Sequence, residues 1–435
     1  MSIEKPYPIY PEVLDGTFSH KAAGLLKDYA GSDWRTFLGP FPSSWEEIEA
    51  AETRVNAHVI DTIVQRYGVN PEDAIRFYRE QLNNANRTVE YVIDKALGSS
   101  YRTTYGLGNE AAFPTDSPFD NLCHVTGFLN NMDPLEQYER ERQHIIAPIA
   151  AQVTRRSREE GYQVGINNFQ KLVNMHVFEN VPGTSGYSGD RKKTTIQRVL
   201  AAHDNADNSF QGVLPAPEIT GAYHTKEHAF RARYSGDVGW VVTDPREKGM
   251  EQSVVKGLTK AIVKGKEVSV VNDVQDVAGV MFVTLGDDNF EGALQSRDIL
   301  AEKVIETLKQ SGRLKDLTPK HHLNEDRNNG KSLPWLRYEV QLHNGCSSPF
   351  ELVFYDLKQY LDYRYFVGDL EEPTRHAHGH PLYEVIRAQR IFPDLFPKRI
   401  YNGRDFGQFD LQEIMRARRY QEAENMFRDT GIKIG

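Results

Sequence analysis

Apolar residues recur at helical spacing through residues 44–97, where Ile48, Val55, Val59, Ile60 and Ile63 mark one face. Ser44 and Glu47 precede that run with the spacing of a capping box. Asn70-Pro71-Glu72-Asp73 predicts a second start, because proline suits the first helical position, and Ile75, Phe77 and Tyr78 continue it. Residues 101–133 are rich in Gly, Pro, Asn and Asp and predict an irregular connection. Residues 134–160 return to helix, with Ile145, Ile146, Ile149 and Val153 on one side. Gly, Ser, Asn and Asp then accumulate over 178–216, which predicts a boundary region.

Beyond that boundary the period changes. Phe230, Ala232, Tyr234, Trp240 and Val242 predict a strand over 230–242, followed by a helix over 251–262. A β-branched apolar run ends at Leu285, a helix follows over 297–310, and strands are expected at 335–343 and 349–355 around the turn 344–348. Further helices are expected at 383–389 and 410–427. The pattern predicts an α+β (mixed α/β) protein: a mainly helical region 1–215, a mixed sheet flanked by helices over 216–395, and a helical tail 396–435.

Composition narrows the class. The chain of 435 residues is 39% hydrophobic and 26% charged, which is globular. No apolar run approaches the roughly 18 residues of a spanning helix, and no basic segment followed by an apolar one opens the chain, so the cytoplasm is the expected compartment and no membrane partner is expected. Cys123 and Cys346 alone build neither a disulfide framework nor a zinc site. A net charge of −9 argues against a chain dominated by nonspecific nucleic-acid binding.

Candidate chemistry lies in the second half. Asp276 opens the apolar run Val277-Ala278-Gly279-Val280-Met281-Phe282-Val283, and a carboxylate entering a buried strand is costly unless a partner compensates it. Gly279 lets another backbone approach. Arg246, Lys248, Ser253, Lys256 and Lys260 form a basic cluster straddling a strand end and the next helix, suited to polyphosphate. Glu351 is a second acid inside an apolar strand, and two such acids suit a shared magnesium ion or a division into metal ligand and general base.

In this order the features resemble the synthetase domain of the RelA/SpoT family, which makes guanosine penta- and tetraphosphate. Arg246-Glu247-Lys248 with Ser253, Lys256 and Lys260 looks like its basic R-x-K signature, with one extra residue before the serine. Asp276-Val277-Ala278-Gly279-Val280-Met281 resembles its Asp-Ile-x-Gly-x-Arg strand. Arg337-Tyr338-Glu339-Val340-Gln341-Leu342-His343 and Phe350-Glu351-Leu352-Val353 fill the places of its acceptor strand and its Glu-Ile-Gln strand, and His380-Pro381-Leu382-Tyr383 spells its His-x-x-Tyr helix start. The chain departs from the pattern at Met281, where the family has arginine, and at Val353, where it has glutamine; Tyr338 and His343 are one residue too far apart.

The resemblance covers residues 230–390 and implies a nucleotidyltransferase-like sheet moving pyrophosphate from ATP to GDP, GTP or another nucleotide with Mg2+. It implies Asp276 and Glu351 as catalytic and metal residues, the basic cluster on ATP, and Arg337, Tyr338, His343 and His380 on the acceptor. A nucleotide-sensing or protein-interaction module that has lost catalysis is the rival reading, favoured by Met281. Transfer to an RNA end is a third, resting on Arg416, Arg418, Arg419 and Arg428. Val199-Leu200-Ala201-Ala202-His203-Asp204 also spells like the His-Asp centre of a hydrolase domain found in some members, but too little chain remains before the strand expected at Phe230 to complete one.

Overall fold

The computed structural model describes residues 44–97, 117–126, 134–158, 167–169, 171, 194–205, 210–213, 223–236, 238–263, 278–286, 292–320, 336–343, 349–365 and 380–395. The chain divides into two compact units. One comprises Met1–Arg156, Gly249–Val274 and Val385–Ile414, the other Ser157–Lys248, Gln275–Glu384 and Met415–Gly435.

The first unit is helical. Helix α1 (Trp45–Tyr67) starts where the capping box predicts: the Ser44 hydroxyl accepts the Glu47 N–H at 3.3 Å. It stops at Gly68, whose φ of 66° turns its N–H back onto Val64. Ala51, Val55, Val59, Ile63 and Tyr67 are its buried stripe. A 3-10 turn over Pro71–Asp73 leads into α2 (Ala74–Leu97). Within the stretch expected to be irregular lies α3 (Pro118–Thr126), tied to α1 by the Phe119 N–H donating to the Asn56 side chain at 2.9 Å.

Helix α4 (Pro134–Ser157) buries the expected Ile145, Ile146, Ile149 and Val153, but Arg140, Glu141, Arg142, Gln143 and His144 are buried as well. Hydrogen bonds make the burial of Arg140 and His144 tolerable. His144 Nδ1 lies 2.8 Å from the Arg140 carbonyl, which only accepts, so Nδ1 carries the proton and Nε2 accepts the Tyr78 hydroxyl at 2.8 Å. Burial lowers His144 to about 4 and raises Tyr78. Tyr78→Phe strips Nε2 of its donor and should destabilise the helical unit by about 1–3 kcal/mol in urea unfolding. An unchanged midpoint would mean that the hydroxyl contributes nothing. Helix α5 (Met250–Leu258), continued by a π turn over Thr259–Val263, belongs to this unit and approaches α2 through Arg87 and Glu251 at 3.4 Å.

The second unit is built on one sheet of β1 (Thr194–Asp204), β2 (Phe210–Val213), β3 (Tyr223–Ser235), β4 (Gly239–Glu247), β5 (Ala278–Gly286), β6 (Leu314–Pro319), β7 (Leu336–Leu342) and β8 (Phe350–Asp356). The order is β2-β1-β3-β4-β5-β8-β7-β6, antiparallel throughout except for the β5–β8 pair. A parallel neighbour needs a long crossover, which here runs through α6 (Ala293–Gln310), β6 and β7. Strand alternation divides the core. Val280, Phe282, Leu352 and Phe354 pack under α6, while Met281, Val283, Val353 and Tyr355 pack under α7 (Leu357–Tyr365). The chain is thus mixed α+β.

Other expectations change as well. The run 230–242 is two strands, because the turn in which the Val238 N–H reaches the Ser235 carbonyl at 2.7 Å divides it, with Gly239 at φ 73°. The stretch 178–216, expected to be a boundary, contains β1 and β2, and β6 was not expected at all. Helix α8 (His380–Leu395) covers the helix expected at 383–389, and the helix expected at 410–427 lies outside the described residues. Among the described residues no helix is long and apolar enough to cross a membrane.

Candidate functional site

The register of the central strands aligns the residues of interest in two rows. Arg246 of β4, Gly279 of β5, Glu351 of β8 and Glu339 of β7 are successive cross-strand neighbours. One step further along, Asp244, Met281, Val353 and Arg337 form the second row. Because β5 and β8 are parallel, both begin at this edge of the sheet, and β4 and β7 run toward it. Gly279 holds the first row together: a Cβ built there would lie 3.1 Å from the Glu351 Cβ and closer still to its carbonyl oxygen. Only glycine lets these two backbones meet.

Glu339 and Glu351 stand directly opposite each other, an arrangement that repels unless a cation intervenes. Arg337 is that cation. Its Nε pairs with Glu351, its Nη2 lies 3.8 Å from Glu339, and Lys320 adds an ammonium 3.7 Å from Glu339. The side chains of Glu351 and Glu339 are only 12% and 15% exposed, so water screens these charges weakly. Two carboxylates side by side are the donor type magnesium takes, in company with phosphate oxygens. Among the described residues no group of three or more His, Cys, Asp or Glu side chains is placed to hold a metal.

The expected site residues distribute unevenly. Asp276 lies outside the described residues, three positions before Gly279 in the chain. Arg246 and Lys248 lie at and just past the end of β4, in the sheet unit. Ser253, Lys256 and Lys260 belong to the helical unit, where Ser253 is fully buried among the core residues of α5 and its hydroxyl has no hydrogen-bond partner among the described residues. Lys256 is on α5 and Lys260 on the π turn, both half-buried.

Tyr338 sits between Arg337 and Glu339 and therefore faces the opposite side of the sheet, under α6. Its ring stands edge-on to Phe354 at 6.1 Å, and burial raises its hydroxyl, with Glu302 and Asp298 adding to the shift. His343 is exposed just past β7, where its N–H donates to the Arg313 carbonyl at 2.9 Å. His380 is the first residue of α8. Met281, in the place of the motif's arginine, is a core residue, 7% exposed. Its row still carries a guanidinium two strands away, at Arg337. Glu339 and Lys320 were not expected, and the signal for Glu339 was there: alternation puts it on the side of Arg337.

No family model matches the chain, and no curated protein or solved structure does.

Proposed function

We propose that the chain is a magnesium-dependent, nucleotidyltransferase-like enzyme that moves a pyrophosphoryl group from ATP to a hydroxyl of an acceptor nucleotide, in the cytoplasm. The observation that carries this reading is the row Arg246–Gly279–Glu351–Glu339, in which residues of three of the four motifs fall on adjacent strands at one sheet edge. In the proposed step the acceptor oxygen bonds to the β-phosphorus of ATP. The bond from that phosphorus to the α–β bridging oxygen breaks, AMP leaves, and the hydroxyl proton passes to Glu351. Arg246 and Lys248 hold ATP phosphates, and Arg337 offers a guanidinium to the moving group once Glu351 engages substrate. Asp276 and Glu351 would hold magnesium, which neutralises phosphate charge when bound. Tyr338 faces away from this row, so base stacking is not assigned to it.

The test is chromatographic: labelled ATP and magnesium with a panel of GDP, GTP, ADP, AMP and tRNA. AMP appearing together with a pyrophosphorylated acceptor is the expected result. ATP binding with transfer to no acceptor would favour a noncatalytic nucleotide-sensing module, which Met281 in the core and the Arg337–Glu351 pair both suit. Lys248→Ala should weaken ATP binding by about 1–3 kcal/mol, the scale of a charge-assisted hydrogen bond. Unchanged calorimetry would leave Lys248 a solvated surface charge.

A further inference from the structure

Three histidines outside the proposed site share the α7 face of the sheet. His203 of β1 and His224 and His228 of β3 are 0%, 6% and 8% exposed. The register sets His203 opposite His224 and Val199 opposite His228. The His203 ring leans along the sheet so that its Nε2 lies 3.2 Å from Nε2 of His228, while it stacks on His224 with centroids 5.7 Å apart. Two imidazole nitrogens at that separation hold one proton between them, one ring donating and the other accepting. A second proton between them would set two N–H donors against each other and leave a buried cation. His224 Nδ1 donates to the Asn205 side-chain oxygen at 2.9 Å, which leaves Nε2 a buried acceptor without a partner among the described residues.

The surroundings oppose added positive charge. Lys226 lies between His224 and His228 on the same face of β3, and Arg364 of α7 acts on His228. Asp204, at the end of β1, is the acid that acts on His224. Strand β2 contributes the apolar Phe210, edge-on to His203 at 6.0 Å. The contact continues outward: His228 stacks on Phe230, Phe230 meets Tyr360 of α7 edge-on at 5.9 Å, and the Tyr360 hydroxyl accepts Arg364 at 2.6 Å.

We propose that the His203–His228 pair is a proton-operated latch: it closes the β1–β3 edge and the end of α7 at neutral pH and releases them in mild acid. This goes beyond the transfer reaction and stands without it. Two imidazoles at this distance also suit a transition metal, but among the described residues no third ligand completes such a site. Burial, then His203, Lys226 and Arg364, hold His228 down to about 3 from an ordinary 6.5, and burial lowers His224 as well. A lowered histidine gives stability that is whole above its unfolded value of 6.5 and is lost as the pH falls from there toward the folded value, here about 3.

Hydrogen–deuterium exchange on the full chain tests the latch, with rates corrected for intrinsic chemistry. Between pH 7.5 and pH 5.5, release of His228 opens the edge about tenfold more often. Amides of 194–204, 223–235 and 357–365 should speed up by that factor, while those of 278–286 and 350–356 stay protected. His228→Phe keeps a ring but takes no proton, so that tenfold should be lost. If that variant does not fold, the wild-type ring protons are titrated instead, and no signal from His228 should titrate near 6.5 while the edge is closed. Equal protection at both pH values, acceleration undiminished in His228→Phe, or titration near 6.5 in the closed state would each overturn the latch. So would zinc protecting the edge at neutral pH, since the pair would then be a metal site.

Discussion

Glu351→Gln is expected to lower pyrophosphoryl transfer by about 10²–10⁴-fold, the contribution of a positioned general base. The amide keeps the size of the carboxylate and can still accept a hydrogen bond, but it cannot take up the acceptor's proton. The same change removes one of the two carboxylates that Arg337 bridges. A guanidinium only 20% exposed then loses its nearer carboxylate, so some stability is lost too, on the order of 1–3 kcal/mol. The two effects separate experimentally. A structural role alone would lower the unfolding midpoint while turnover by the folded fraction stays whole. A role in the chemistry lowers turnover at temperatures where the variant is fully folded. Full turnover by folded Glu351→Gln would remove Glu351 from the reaction.

The helical unit was largely legible because its signals are local. Ser44 and Glu47 are three residues apart in sequence and in the cap, and the stripe Ala51, Val55, Val59, Ile63 repeats every fourth residue. The arginines and glutamates of α4 are different. Nothing in 140–144 says that the helix is enclosed, since burial there depends on side chains such as Asn121, Asn86 and Tyr78 arriving from distant helices.

The sheet was legible only where it is most apolar. Strand β5, buried on both faces, reads as a continuous apolar run, as expected of a strand with a parallel neighbour. Strand β1 does not stand out, because its exposed face carries Ile196 and Leu200 and its buried face ends in His203, which blurs the alternation. Strand β6 lies at the sheet edge with Lys315 and Asp316 exposed, and reads as loop.

For the candidate site, Glu351 and the glycine were visible as anomalies in apolar strands. Their neighbours were not, because register is a tertiary quantity: a one-residue slip of β7 against β8 would have put Tyr338, and not Glu339, beside Glu351. Residue spelling on β7 therefore suggested an acceptor-binding Tyr338, while the fold turns that ring into the core under α6.

Gly279→Ala should be among the most damaging single-methyl changes in the sheet unit. The reason is contact, not conformational freedom, since Gly279 does not require a positive φ. The added Cβ would overlap the Glu351 carbonyl oxygen and lie 3.1 Å from its carbonyl carbon and Cβ. All but the Cβ are backbone atoms of a paired strand, which cannot rotate away as a side-chain tip can. Relief requires β5 and β8 to separate where the parallel pair begins, and overpacking of a well-packed interior costs about 3 kcal/mol. Gly292→Ala is the matched control. There φ is 69° with nothing within 4 Å of the added atom, so the cost is conformational, about 1 kcal/mol. Exchange protection of β5 and β8 is the measurement, because a chain of two units need not unfold in one step. Gly279→Ala should lower protection at 278–281 and 350–353 far more than Gly292→Ala lowers it anywhere. It should also lower transfer activity, because the same separation breaks the row in which Glu351 stands. Equal, small effects from both alanines would mean that the two strands are not held at this distance in solution, and the row joining Arg246, Glu351 and Glu339 would lose its basis.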